Sequence, residues 1–216
     1  MDSEIKALIF DMDGVLLDSE AVYEKVWRIA ADKMGVTGID AVHKNCLGRN
    51  KTDSCAILRT AYGKEFAAEE FWALTDELSL KEQEESGVPL KPFAKETLSY
   101  LKQKGYDLAL ASSTERSVVE RELSKAGLLN FFSKLVCGDE VEKSKPNPQI
   151  YLLALQKLAL DAENCVAVED SPAGIESAYA ANLKCVMIPD RVTPDGQTKK
   201  LLWKLCTSLS DLRLFL

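Results

Sequence analysis

The sequence has 216 residues, 46% of them hydrophobic and 28% charged, with a formal net charge of −7. That length and composition suit one globular domain, or one domain carrying a smaller insertion, and exclude disordered and fibrous chains. The acidic balance argues against a nucleic-acid or acidic-membrane partner, although a local basic pocket can exist inside an acidic protein.

The N-terminal stretch MDSEIKALIFDMDG opens on acidic residues, and its apolar run is too short for a signal peptide. No later run reaches membrane-spanning length, so a cytoplasmic protein is expected. Ala7 to Phe10 reads as a fully buried strand, ending on two carboxylates, Asp11 and Asp13, and then Gly14. Two acids aimed at one spot beside a buried strand repel each other and lose hydration, which calls for a positive partner.

From about Ser19 to about Gly87 no strand pattern is present. Helices are expected over Glu20 to Met34, with Val22, Val26, Ile29 and Ala30 on one face, over Thr52 to Tyr62, and over Glu69 to Glu85. Alternation then begins. Strand-like runs Leu108 to Ala111, Leu135 to Cys137, Cys165 to Val168 and Cys185 to Ile188 alternate with helical patterns. The helices run over Phe93 to Lys104, Arg116 to Ala126, Pro148 to Leu158 with Asn147 as N-cap, and Pro172 to Ala181 after Ser171. The implied fold is α/β, a doubly wound parallel sheet with a Rossmann-like core, interrupted after its first strand by an all-helical domain. Residues 1–17 and 88–216 are expected to form the core, and 18–87 the insertion.

The six cysteines show no CxxC pair and read as reduced structural thiols. The single histidine, His43, cannot by itself build a Ser/His/Asp or histidine-metal site and reads as a loop surface residue.

Open α/β sheets bind ligands beyond the carboxyl ends of their strands. Each such position here carries polar groups suited to phosphate or Mg²⁺: Asp11-Met-Asp13-Gly14, Ser112-Ser113-Thr114, Lys143-Ser144-Lys145-Pro146 and Glu169-Asp170-Ser171. Singly each has a plain explanation, as a turn, an N-cap, a solvated lysine or an acidic helix start. Together, and in this order, they are hard to produce by accident.

The succession DxDGV, a strand ending in Ser, SKPNP and VEDSPAGI resembles the haloacid dehalogenase superfamily of phosphohydrolases, in particular members with a helical cap inserted after the first motif. The likeness implies a Mg²⁺-dependent phosphatase acting on a small phosphorylated metabolite, a sugar phosphate, through an aspartyl-phosphate. It makes Asp11 the nucleophile and Asp13 the acid/base, with Ser112 and the amide of Ser113 on the phosphoryl oxygens and Lys145 countering charge. The metal would be held by Asp11, the Asp13 carbonyl and Asp170, with Glu169 ligating or orienting nearby. In the cap, Arg49, Lys51 and Glu20 are candidate substrate contacts, while Tyr23 faces either the site or the cap core. No nucleic acid or membrane partner is implied, and a monomer is the default.

Two other readings compete. β-Phosphoglucomutase-like transfer uses the same core, but the mutases carry a histidine where this sequence has Tyr23. A receiver-like phospho-aspartate signalling module would share the acids, hydroxyl and lysine, but lacks an acid/base two residues past the phosphorylated aspartate and a large helical insertion.

Overall fold

The computed structural model describes residues 4–46 and 51–216, apart from the side chain of Asp53. The chain forms two compact units, Met1–Asp18 with Leu90–Leu216, and Ser19–Pro89.

The first unit is built on six parallel strands in the order β3-β2-β1-β4-β5-β6. They are β1 (Ala7–Phe10), β2 (Asp107–Ala111), β3 (Lys134–Val136), β4 (Cys165–Glu169), β5 (Lys184–Met187) and β6 (Lys204–Leu205). Every residue of β1 and β4 is buried, as expected for strands covered on both faces. Side chains alternate across the sheet: Ala7 and Ile9 join one core cluster with Ala109, Ala167 and Cys185, which places the equally buried Leu8 and Phe10 on the opposite face.

The helices of this unit are α5 (Ala94–Gln103), α6 (Arg116–Lys125), α7 (Gln149–Leu158), α8 (Pro172–Ala180) and α9 (Thr198–Leu201), after α1 to α4 of the other unit. Helices α7 and α8 cover the Ala7/Ile9 face with Ile150, Tyr151, Ala154, Ile175 and Ala178. Local capping sets their starts. The Asn147 side chain accepts from the amide of Gln149 at 3.1 Å, so α7 begins one residue later than the pattern suggests. The Ser171 hydroxyl accepts from the amide of Gly174 at 3.2 Å, and Pro172 occupies the first turn of α8, where its missing N–H costs nothing.

The second unit contains α1 (Ser19–Met34), α2 (Ile39–Cys46), α3 (Lys51–Tyr62) and α4 (Ala68–Ser86). Its core joins Val22, Val26, Trp27 and Ala30 of α1 to Ile39 and Val42 of α2, Leu58 of α3 and Phe71 of α4. Trp27 sits edge-on to Phe71, with ring centroids 5.2 Å apart.

Three expectations are corrected here. Helix α2 falls where no helix was expected, and His43 lies on it rather than on a loop surface. Its i, i+3, i+4, i+7 spacing with Ile39, Val42 and Cys46 turns His43 inward, 4.6 Å from the Trp27 ring. Ile29 is only half-buried on α1, and Trp27 takes the inward place instead. The third is β6, a two-residue edge strand with both side chains exposed, which gives no apolar run to read. The six cysteines are buried and form no disulfide. No helix among the described residues is long and apolar enough to cross a membrane.

Phe71 is fully buried at the centre of the helical unit. Phe71→Ala should cost about 3–5 kcal/mol of stability, read from denaturant unfolding, because the cavity left adds to the lost transfer energy.

Candidate active site

The sheet reverses its direction of growth at β1. The chain builds outward through β2 and β3, then returns to place β4 on the other side of β1. The carboxyl ends of β2, β1 and β4 therefore lie side by side at the point where such sheets bind ligands. Phe10 is level with Val168, and the ladder continues one step further, with the Asp11 amide donating to the Val168 carbonyl at 2.9 Å. This sets Asp11 beside the Glu169-Asp170 pair. On the other flank, the Ser112 amide donates to the Val136 carbonyl at 3.0 Å and fixes the start of the loop after β2.

Lys145 reaches in from the loop before α7. Its ammonium donates to Asp11 Oδ1 at 2.6 Å, to Glu169 Oε1 at 2.6 Å and to the Ala111 carbonyl at 2.9 Å, using all three protons. All three side chains are almost wholly buried. Burial works against the lysine's charge, but Asp11 and Glu169 outweigh it and hold its pKa above the ordinary value. The Tyr151 hydroxyl, also fully buried, donates to the same Glu169 Oε1 at 2.6 Å. Burial first, and the nearby carboxylates second, push that phenol well above its usual pKa, so it stays a donor.

One ammonium does not balance the acids gathered here. Asp11, Glu169 and Asp170 each offer an oxygen within 4.8 Å of the others. Burial pushes the Asp11 carboxyl well above the usual range; Lys145 opposes this, while Glu169, Asp170 and Asp13 add to it. Asp170 is pushed up to about 7, by burial and then by Glu169 and Asp190. Hard oxygen donors under mutual repulsion are the donor set that suits a small divalent cation.

Asp13 points along the loop after β1, where the Thr114 hydroxyl donates to its Oδ2 at 3.0 Å. The Thr114 amide in turn donates to Ser112 Oγ at 3.1 Å. A chain of contacts thus ties the acid after β1 to the buried hydroxyl after β2. Ser113 is exposed, and its carbonyl packs so close to Gly138 that a Cβ there would stand 2.0 Å away. Gly14 turns the chain at φ +75°, and a Cβ on it would meet Asp170 Oδ2 at 2.3 Å. Gly174 gives the Glu169 carboxylate the same room, 2.0 Å from where its Cβ would be.

The structure thus brings together Asp11, Asp13, Ser112, Lys145, Glu169 and Asp170. Glu20 and Lys51 belong to the helical unit: Glu20 Oε2 lies 4.0 Å from His43 Nε2, and Lys51 opens α3 exposed to solvent. Arg49 lies outside the described residues. Sequence reasoning missed Tyr151, and it named Thr114 only within Ser112-Ser113-Thr114, with no role of its own. The signal for Tyr151 was a phenol on the inward stripe Ile150, Tyr151, Ala154, Leu155, where its hydroxyl needs a buried partner.

Residues 8–188 match the haloacid dehalogenase-like hydrolase family. The chain belongs to that family. This hydrolase is 35% identical over 181 residues to the phosphorylated carbohydrates phosphatase of Thermotoga maritima, covering 83% of each chain. Among solved structures it is similar to a putative β-phosphoglucomutase from Thermotoga maritima, at 29% identity and a TM-score of 0.82 over 98% of this chain and 100% of that one. It is also similar to a family hydrolase from Deinococcus radiodurans with bound phosphate and sodium, at 27% identity and a TM-score of 0.84 over 98% and 95%.

Gly14→Ala should destabilise the hydrolase by more than about 1–2 kcal/mol, since it adds the Asp170 collision to the left-handed backbone cost. Gly105→Ala, at φ +89° with open space around it, carries the backbone cost alone. Thermal melts in which Gly105→Ala proves the more harmful would contradict this geometry.

Proposed function

We propose that this hydrolase is a Mg²⁺-dependent phosphomonoesterase that acts on a small phosphorylated metabolite, a sugar phosphate, through an aspartyl-phosphate formed on Asp11. The observation that carries the reading is the Lys145 ammonium bonded to both Asp11 and Glu169 within a cluster of acids at the sheet's switch point. The name of the Thermotoga maritima relative supports the substrate class, and the phosphate bound to the Deinococcus radiodurans protein supports an anion in the corresponding fold.

Phosphate-monoester hydrolysis needs up to about 10²¹-fold acceleration, and a single acid/base supplies about 10²–10⁴ of it. Electrostatics must do most of the remainder. Lys145 fixes one oxygen of Asp11 and so orients the carboxylate for attack on phosphorus. As the Asp11–phosphorus bond forms and the ester bond breaks, Asp13 gives its proton to the leaving oxygen; it then takes a proton from the water that cleaves the aspartyl-phosphate. Thr114 aims the Asp13 carboxyl for both transfers. Ser112 and the amide of Ser113 donate to the phosphoryl oxygens.

Mg²⁺ would be held by Asp11, the Asp13 carbonyl and Asp170, while Glu169, whose Oε1 already accepts from both Lys145 and Tyr151, would orient Lys145. When bound, the ion supplies charge neutralisation between the carboxylate nucleophile and the phosphate dianion. In this reading the helical unit, residues 18–87, serves as a cap that excludes water, with Glu20, Lys51 and Arg49 as its candidate substrate contacts. The protein works in the cytoplasm as a monomer. The likeness to a putative β-phosphoglucomutase favours phosphoryl transfer between sugar positions as a second reading. Tyr23, where the mutases carry a histidine, sets it behind hydrolysis.

Purified protein with Mg²⁺ should release phosphate from p-nitrophenyl phosphate over many turnovers, and EDTA or Asp11→Asn should abolish the release. A phosphoprotein that accumulates without product would point to a signalling module, and glucose 1-phosphate isomerisation to a mutase. Asp13→Asn should cut turnover by about 10²–10⁴-fold while Mg²⁺ still raises the melting temperature. Asp170→Asn should lose that Mg²⁺ stabilisation, and retaining it would remove Asp170 from the ligand set.

A further inference from the structure

At the opposite end of the sheet, where the strands begin, an open recess of about 610 Å³ is lined by three lysines, Lys6, Lys104 and Lys184, one acid, Glu4, and the rings of Tyr106, Trp203 and Phe215. Its size is that of a small-molecule site. Trp203 and Phe215 meet edge to face, with centroids 5.4 Å apart, and form an aromatic wall. The ammonium of Lys184 lies 5.4 Å from the Trp203 ring centre, and that of Lys204 lies 5.9 Å from the same ring and 5.7 Å from that of Phe215.

None of these four lysines is in an ion pair among the described residues, whereas the pairs elsewhere on the molecule join lysine or arginine to an acid. Positive charge is therefore concentrated around an aromatic wall in a protein whose net charge is −7. Lysines act as point charges for phosphate, and an indole face accepts a planar ring. Lys6 and Asp11 bracket the same four-residue strand. At ~3.3 Å per residue they stand roughly 16 Å apart, so a small ligand in the recess does not touch the nucleophile.

We infer that this recess is a second ligand site, which takes a planar ring carrying a di- or triphosphate, as in a nucleoside diphosphate, with the phosphates on the lysines and the ring against Trp203. The site is independent of the hydrolytic reading.

The test is calorimetric titration of the intact protein with ADP, with pyrophosphate and with adenosine, in EDTA so that phosphate is not drawn to the acidic cluster. ADP should bind saturably at one site, and pyrophosphate and adenosine each at least about tenfold more weakly. Lys184→Glu with Lys204→Glu, and separately the strand-start variant Lys6→Glu, should weaken ADP by about tenfold or more while p-nitrophenyl phosphate hydrolysis stays as in the parent and thermal unfolding remains cooperative. Trp203→Leu should weaken ADP but not pyrophosphate. The inference is overturned if ADP does not saturate, if the lysine variants bind it unchanged, or if pyrophosphate binds as tightly as ADP. Loss of hydrolysis in the folded lysine variants would also overturn it, by joining the recess to the acidic site.

Discussion

The position of one ammonium group conditions the rest of the α/β unit. Carboxylates converge on the carboxyl ends of β1 and β4, each losing hydration there and repelling its neighbours. Lys145 answers that from inside the cluster: it spends its three protons on Asp11, Glu169 and the last carbonyl of β2, and so ties three neighbouring strands together at one point. The surrounding small residues follow from it. Gly174 leaves room for the Glu169 carboxylate and Gly14 for that of Asp170, so the acids can approach at the closeness the lysine requires. Tyr151 completes Glu169 from below, with its ring 5.3 Å from the same ammonium.

Adjacent acids also stand in different surroundings. Glu169 is wholly buried and its Oε1 is occupied by two donors, whereas Asp170 makes the turn toward Gly14 and carries a carboxyl pushed up to about 7. Under the proposed function, the acid whose oxygen already accepts two hydrogen bonds is the one suited to orient, and the one left under repulsion is the one suited to meet a cation.

Much of this was legible in the letters because the sheet is parallel and buried. Runs such as Ala7 to Phe10 and Cys165 to Val168 are continuous apolar strands, and the polar residues after them fall at one end of the sheet whatever the order of the strands. The order itself, with β4 returning beside β1, is what puts Asp11 next to Glu169, and it is a long-range fact that no local pattern states. The missed features are those where the local signal was weak or shared. Strand β6 is two exposed residues held by pairing with β5. Helix α2 is eight residues long, with a histidine among its four inward positions, which breaks the apolar stripe. Tyr151 lies on a face that packs like any core helix, and only its hydroxyl distinguishes it.

Parallel strands also sort charge. With every strand running one way, the helices that connect them present N-termini beyond the strand ends and C-termini before the strand starts, and the helix dipole favours acids at the former and lysines at the latter. Glu169 and Asp170 precede the N-terminus of α8, while Lys104 follows the C-terminus of α5. The dipole accounts for a lysine at a helix end. It does not account for Lys6, Lys184 and Lys204, which stand at or beside strand starts and, in the case of the last two, over one indole. Unlike the carboxylates buried at the other end, these lysines stay largely in contact with solvent, and their placement around the indole suits an anion that carries a ring.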